Sequence, residues 1–228
     1  MIDTTLDGTK LQVKVTEVYE KEKKELLDIC LEMIKHDLVI GSSGNASLRV
    51  GDHVVISPSS VHYTEMTIDD VVVIDLEGNE VEGTRNPSVE TPMHLEIYRT
   101  RNDALAVVHT HSMCASAMAI LHENLPPILD EIVPKLGAGI RVSKYAMPGT
   151  KQLGKNVVEV LKDRSAALIA NHGAVCLAKN LKDALFLSIL LERACKIYLT
   201  AKQAGTPIEL PEDVVEDEQD TWEMMRDF

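Results

Sequence analysis

The sequence predicts an α/β domain in three layers, helices on both faces of a largely antiparallel central sheet. Three observations carry this. Amphipathic helical periodicity brackets the chain, over 18–38 and 181–204. Several short β-type runs lie between, some joined by tight turns, which antiparallel pairing allows and parallel pairing does not. The 228 residues suit one large domain or two small ones, and no repeat or linker divides them. We therefore read one domain over 1–228, with its core over about 18–205.

Each element has its own signal. Leu26, Leu27, Cys30, Leu31, Ile34 and Leu38 recur at helical spacing among charges, and Gly41-Ser42-Ser43-Gly44-Asn45 ends that helix. Strands over 46–50 and 53–56 meet through Gly51-Asp52, a two-residue hairpin turn. Ser57-Pro58-Ser59-Ser60 is a loop, and runs over 71–75 and 80–82 flank a second hairpin turn, Glu77-Gly78-Asn79. Asn86-Pro87-Ser88 opens a helix over about 89–101, with Ser88 as its expected N-cap. A buried strand over 104–109 leads to a small-residue helix over 112–121 packed closely on the sheet. Pro126, Pro127, Pro134 and Gly137 make 124–139 mostly loop. Thr150 caps a helix ending near Lys162, and buried strands over 166–170 and 174–178 precede the long helix over 181–204. The acidic tail over 209–228 is expected to be partly mobile.

Composition excludes several function classes. Lys plus Arg is 23 and Asp plus Glu is 36, a net charge of −13. Such a chain repels phosphate backbones and anionic membrane surfaces, and 4% aromatic residues provide no base-stacking platform. No nucleic-acid and no membrane partner is expected. Met1 to Lys10 carries no apolar signal segment, and the apolar stretch over 185–191 is too short to span a bilayer. Cys30, Cys114, Cys176 and Cys195 are widely spread with no CxxC pair, as buried free thiols would be. A cytoplasmic location is expected.

Chemistry concentrates in a few segments. His109-Thr110-His111 ends an apolar strand, where residues two apart share a face, so both imidazoles can reach one divalent metal. A pair of edge histidines with no ligand would read the same way. His172, in Asn171-His172-Gly173, also stands where a buried strand meets a turn; it fits as a third ligand or as a structural histidine. Glu90 opens a helix, a place acids favour for dipole reasons alone. Gly44-Asn45-Ala46-Ser47 and Ser57-Pro58-Ser59-Ser60 can present N–H and O–H donors to an anion, and are equally ordinary turn sequences.

In their order and separations, these two loops, Pro87-Ser88-Val89-Glu90, His109-Thr110-His111-Ser112 and Asn171-His172-Gly173 resemble the class II aldolase/adducin family. The resemblance implies a divalent metal, usually zinc and otherwise Mn2+ or Co2+, held by His109, His111 and His172. It implies that Glu90 ligates the resting metal and then works as acid and base, and that Gly44, Asn45, Ser59, Ser60 and Ser88 bind the phosphate of a small sugar phosphate. Asp130 falls at or near a catalytic tyrosine position, and Val89 replaces a second phosphate-binding serine. The implied activity is that of a zinc-dependent aldehyde-lyase. It would cleave an L-fuculose-1-phosphate-like ketose 1-phosphate to dihydroxyacetone phosphate and a small aldehyde such as lactaldehyde. Ribulose-phosphate 4-epimerisation and methylthioribulose-phosphate dehydration are the alternatives on the same scaffold. The family also implies a homotetramer with sites at subunit interfaces, for which the stretch over 125–136 is a candidate contact.

Overall fold

Side chains alternate across the central strands and so divide the core in two. The computed structural model describes residues 19–227. The strands are β1 (Asn45–Val50), β2 (His53–Ile56), β3 (Val72–Asp75), β4 (Glu80–Glu82), β5 (Ala106–Thr110), β6 (Ala166–Ile169) and β7 (Gly173–Ala178). They form one sheet in the order β4-β3-β2-β1-β5-β7-β6, with every neighbouring pair antiparallel. The sheet is thus more uniformly antiparallel than expected.

Helices α1 (Glu20–Lys35), α3 (Met113–Leu121), α4 (Val133–Leu136) and α6 (Leu181–Ala204) cover one face. There Ala46, Val55, Val108, Leu168 and Cys176 pack against Leu26, Met118, Leu136 and Leu191. Helices α2 (Thr91–Thr100) and α5 (Lys151–Leu161) cover the other, where Val54, Ile74, Val107 and Ile169 meet Met93, Ile97, Leu153 and Val157. This is the expected three-layer arrangement. In α1 the buried stripe is Leu26, Ile29, Cys30 and Met33, so it is rotated from the expected one: Leu27 and Ile34 are half-buried, Leu31 is exposed, and Leu38 is buried beyond the helix end at Lys35. The expected helix start at Val18 and the segment from Met1 to Lys10 lie outside the described residues.

Turn chemistry sets the hairpins. Val50 pairs with His53 across Gly51-Asp52, and Gly51 has φ +62°. The Asp75 carboxylate accepts from Glu77 N and Asn79 N, which closes the β3–β4 turn. Thr150 caps α5 by accepting from Leu153 N.

Two expectations, for the acidic tail and for Ser88, are corrected. The acidic tail forms α7 (Glu212–Asp227), docked by Trp222, which is 3% exposed and donates to Ser165 Oγ at 2.8 Å. The stretch over 124–139 is mostly loop, as expected, and adds to that expectation only the single turn α4, with Leu125, Ile132, Val133 and Leu136 buried in this chain's own core. Ser88 does not cap α2: the N-cap position is Glu90, and Ser88 Oγ accepts from Glu90 N two residues earlier in the turn. Among the described residues no helix is long and apolar enough to cross a membrane.

Candidate metal centre

β5 runs to its end through the centre of the sheet, buried between β1 and β7. His109 is its fourth residue, 0% exposed, and its Nδ1–H donates to the Ala174 carbonyl at 2.9 Å. That bond turns Nε2 toward Glu90, where it donates when the ring is protonated and offers a lone pair to a metal when the ring is neutral. His111 lies just beyond the strand, anchored where its backbone N–H donates to the Leu38 carbonyl. The β6–β7 turn supplies His172. Asn171 adopts the left-handed conformation there, φ 56°, and accepts from His122 Nε2 at 2.7 Å. Gly173 follows because a Cβ at that position would run into the Thr110 carbonyl.

The three imidazoles surround one point. Each pair of ring centroids is 4.8 Å apart and the planes cross at 70–75°. His109 Nε2 lies 2.9 Å from His111 Nε2 and 2.8 Å from Glu90 Oε2, and His172 Nε2 is 3.5 Å from Glu90 Oε1. The ligand atoms of all four residues lie within 4.8 Å of one another.

Such convergence needs a cation. Two imidazole lone pairs and a carboxylate at these distances repel unless a proton or a metal ion sits among them. Burial works to raise the Glu90 pKa, yet the charges of His109 and His172 and the hydrogen bonds from His109 and Asn45 hold it well below the usual range. Burial also lowers His111 to about 3, with help from His109 and His172, so that ring stays neutral and able to ligate. Glu90 Oε1 and His172 Nδ1 are buried and have no hydrogen-bond partner. Burial works to lower His109, but the Glu90 charge and hydrogen bond raise it, so without a metal a proton stands between the two. With that proton displaced, the anionic oxygen and three neutral imidazoles suit a borderline divalent ion such as zinc. The donor set therefore fits a metal.

The anion-binding candidates adjoin this cluster in the chain. Gly44, φ +70°, directly precedes β1, and a Cβ there would lie 2.5 Å from Val39 Cγ1 and 2.6 Å from the His109 carbonyl. The loop over 57–60 is tied to 86–88 by Ser59 N to Asn86 O at 2.9 Å and Ser88 N to Ser57 O at 3.1 Å. Ser59 and Ser60 hydroxyls sit 3.3 Å apart, and Ser88 is two residues from Glu90. Asn45 is placed differently from a free anion donor. Its Nδ2 donates to Glu90 Oε2 at 3.0 Å, and its Oδ1 faces His94 Nε2. Asp130 is exposed, its acidic neighbour is Glu218 of α7, and it is not among the converging ligands of its own chain.

Sequence reasoning missed His94 and Tyr98; with Ser47, a candidate anion donor whose hydroxyl is instead fully buried between them, they form a polar chain behind Asn45. The signal available was the i, i+4 spacing of Glu90 and His94, which puts both on one helical face.

The profile described as "Class II Aldolase and Adducin N-terminal domain" matches residues 24–199, and the chain belongs to that family. A 5-deoxy-D-ribulose 1-phosphate aldolase of Bacillus thuringiensis is 40% identical over 199 residues, 86% of this chain and 93% of that protein. An L-fuculose phosphate aldolase of Escherichia coli is 35% identical over 193 residues, 85% of this chain and 89% of that protein. A solved L-fuculose 1-phosphate aldolase superposes with a TM-score of 0.85 at 36% identity, covering 88% of this chain and 95% of that one.

Proposed function

We propose that this protein is a zinc-dependent aldolase that cleaves a ketose 1-phosphate with a deoxy end to dihydroxyacetone phosphate and a small aldehyde. The observation that carries it is the convergence of three imidazoles on a carboxylate whose Oε1 has no hydrogen-bond partner. Two relatives are named for ketose 1-phosphates whose chains end in a methyl group. On a five-carbon substrate the released aldehyde is acetaldehyde; on L-fuculose 1-phosphate it is lactaldehyde.

His109, His111 and His172 would hold the metal, with Glu90 as the ligand that can leave it. When bound, a divalent ion supplies Lewis acidity toward negative charge developing on the substrate's C2 oxygen. Ser59, Ser60, Ser88 and the Gly44 turn would anchor the 1-phosphate, so binding remote from the reacting carbons fixes their orientation. The C4 hydroxyl passes its proton to a base at the aldehyde end, the C3–C4 electron pair moves into the three-carbon fragment as the C4–O bond becomes the aldehyde carbonyl, and Glu90 delivers a proton to C3. Asp130 is proposed as the group at the aldehyde end. Asp130 is not among the converging ligands of its own chain, and in this reading another subunit of the expected cytoplasmic homotetramer supplies it.

A product screen tests this. The zinc-loaded protein, given a panel of ketose 1-phosphates, should release dihydroxyacetone phosphate fastest from the terminally deoxy sugars. Release from none of them, together with C4 epimerisation of a pentulose 5-phosphate, would replace the aldolase reading.

A further inference from the structure

Behind the metal ligands lies a line of buried polar groups that ligation does not use. His94 is 0% exposed on the first turn of α2, between the sheet and the helix. Its Nε2 faces Asn45 Oδ1, and its Nδ1 is 2.6 Å from Ser47 Oγ. Ser47 is also fully buried, and its Oγ lies 2.7 Å from the Tyr98 hydroxyl. At the other end Asn45 Nδ2 donates to Glu90 Oε2 at 3.0 Å.

Donor chemistry fixes the direction of every bond in this line. An ionised carboxylate only accepts, so Asn45 must turn its NH2 toward Glu90 and its carbonyl oxygen toward His94. That oxygen only accepts, so His94 must carry its proton on Nε2. Nδ1 then accepts from the Ser47 hydroxyl, whose oxygen accepts from Tyr98 O–H. Reversing one link leaves a buried donor facing a donor, or an acceptor facing an acceptor, which costs about 1–3 kcal/mol.

We propose that His94 is a positioning residue for Glu90. Its Nε2–H, set by Ser47 and Tyr98, locks the Asn45 amide so that Glu90 Oε2 is held by a fixed donor. Oε1 is left as the oxygen free to exchange a proton. The catalytic part of this inference rests on the aldolase reading; the hydrogen-bond direction does not. The consequence is that Asn45 serves the carboxylate through His94, in addition to any contact with an anion.

The closing experiment separates the two. Long-range 1H–15N spectra of the metal-free, histidine-labelled protein should show His94 as the neutral Nε2–H tautomer, and Ser47→Ala should weaken that preference. A wild-type Nδ1–H tautomer overturns the proposal whatever the protein's activity. His94→Leu should lower kcat about 10–100-fold, the usual effect of losing a group that orients a ligand. It should also change the visible spectrum of the Co2+-substituted protein. His94→Gln, whose amide N–H can reach Asn45 Oδ1, should restore most of the rate and the spectrum. If Gln performs no better than Leu in both, the proposal is wrong. If His94→Leu fails to fold, Ser47→Ala decides: a lowered kcat supports the relay and an unchanged one overturns it. The expected tautomer without cleavage of any ketose 1-phosphate would sink the aldolase reading alone.

Discussion

The two ends of the sheet treat buried charge in opposite ways. Near the start of β5, Arg101 donates to both Asp103 oxygens at 2.8 and 2.6 Å, to the Arg164 carbonyl at 2.8 Å and to the Leu161 carbonyl. Arg164 is paired with Asp163 at 2.7 Å and donates to the Gly139 carbonyl. There, opposite charges meet and donors find carbonyls. At the other end of β5, three imidazoles and a carboxylate converge with Glu90 Oε1 and His172 Nδ1 left unpartnered. Paired charges hold a fold together. Converging ligand atoms of like polarity raise its energy and are retained where a cation resolves them.

Substitutions at the two ends should therefore fail differently. The largest expected effect is at Glu90. Glu90→Gln should leave the fold intact and lower kcat about 10²–10⁴-fold, through loss of the proton-transfer group; circular dichroism with steady-state kinetics checks both halves. His172→Ala removes one of three neutral ligands, and elemental analysis should find metal content well below one per chain. At the other end, Arg101→Leu should destabilise the fold by about 3–5 kcal/mol in urea unfolding, because it strands Asp103 and two carbonyls. Its kcat per folded molecule should be unchanged. A loss of activity without loss of stability there would erase the contrast.

Protonation sharpens the same difference. Burial works to raise Asp103, but the hydrogen bonds and charge of Arg101 win and lower it. A depressed carboxylate contributes stability above its unfolded value of about 3.9, and that contribution is lost as pH falls through the lower folded value. Unfolding measured against pH should thus show an acid limb below about pH 4 that is smaller in Arg101→Leu. The smallest expected effect is at the thiols. Burial pushes Cys30 and Cys176 up to about 12 and Cys195 well above its usual value. Cys114 rises to about 11 through burial and the neighbouring Glu192 carboxylate. Ellman's reagent at pH 8 should react slowly with the native protein and then with all 4 thiols once it is unfolded.

These ends were not equally legible in the sequence. His109 and His111 announced themselves by their two-residue spacing at the end of an apolar strand, and the structure brings their Nε2 atoms together. The expected helix over 181–204 coincides with α6, because its apolar stripe is continuous. α7 was missed because Val215 and Trp222 are its sparse anchors among acidic residues, and only packing on α4 reveals them. His94 was passed over for a related reason. Its partners Asn45 and Ser47 lie on β1, distant in sequence, and no local pattern announces a hydrogen bond across that separation.

In the proposed reaction Glu90, beside a metal held by the three histidines, moves a proton at C3 of a three-carbon phosphate. The most direct test is proton exchange in D2O, followed by NMR, with dihydroxyacetone phosphate as the only substrate and no aldehyde present. One C3 proton should exchange in the zinc-loaded protein, and exchange should be lost in Glu90→Gln and after chelation of the metal. Exchange that persists at the wild-type rate in Glu90→Gln would contradict the account.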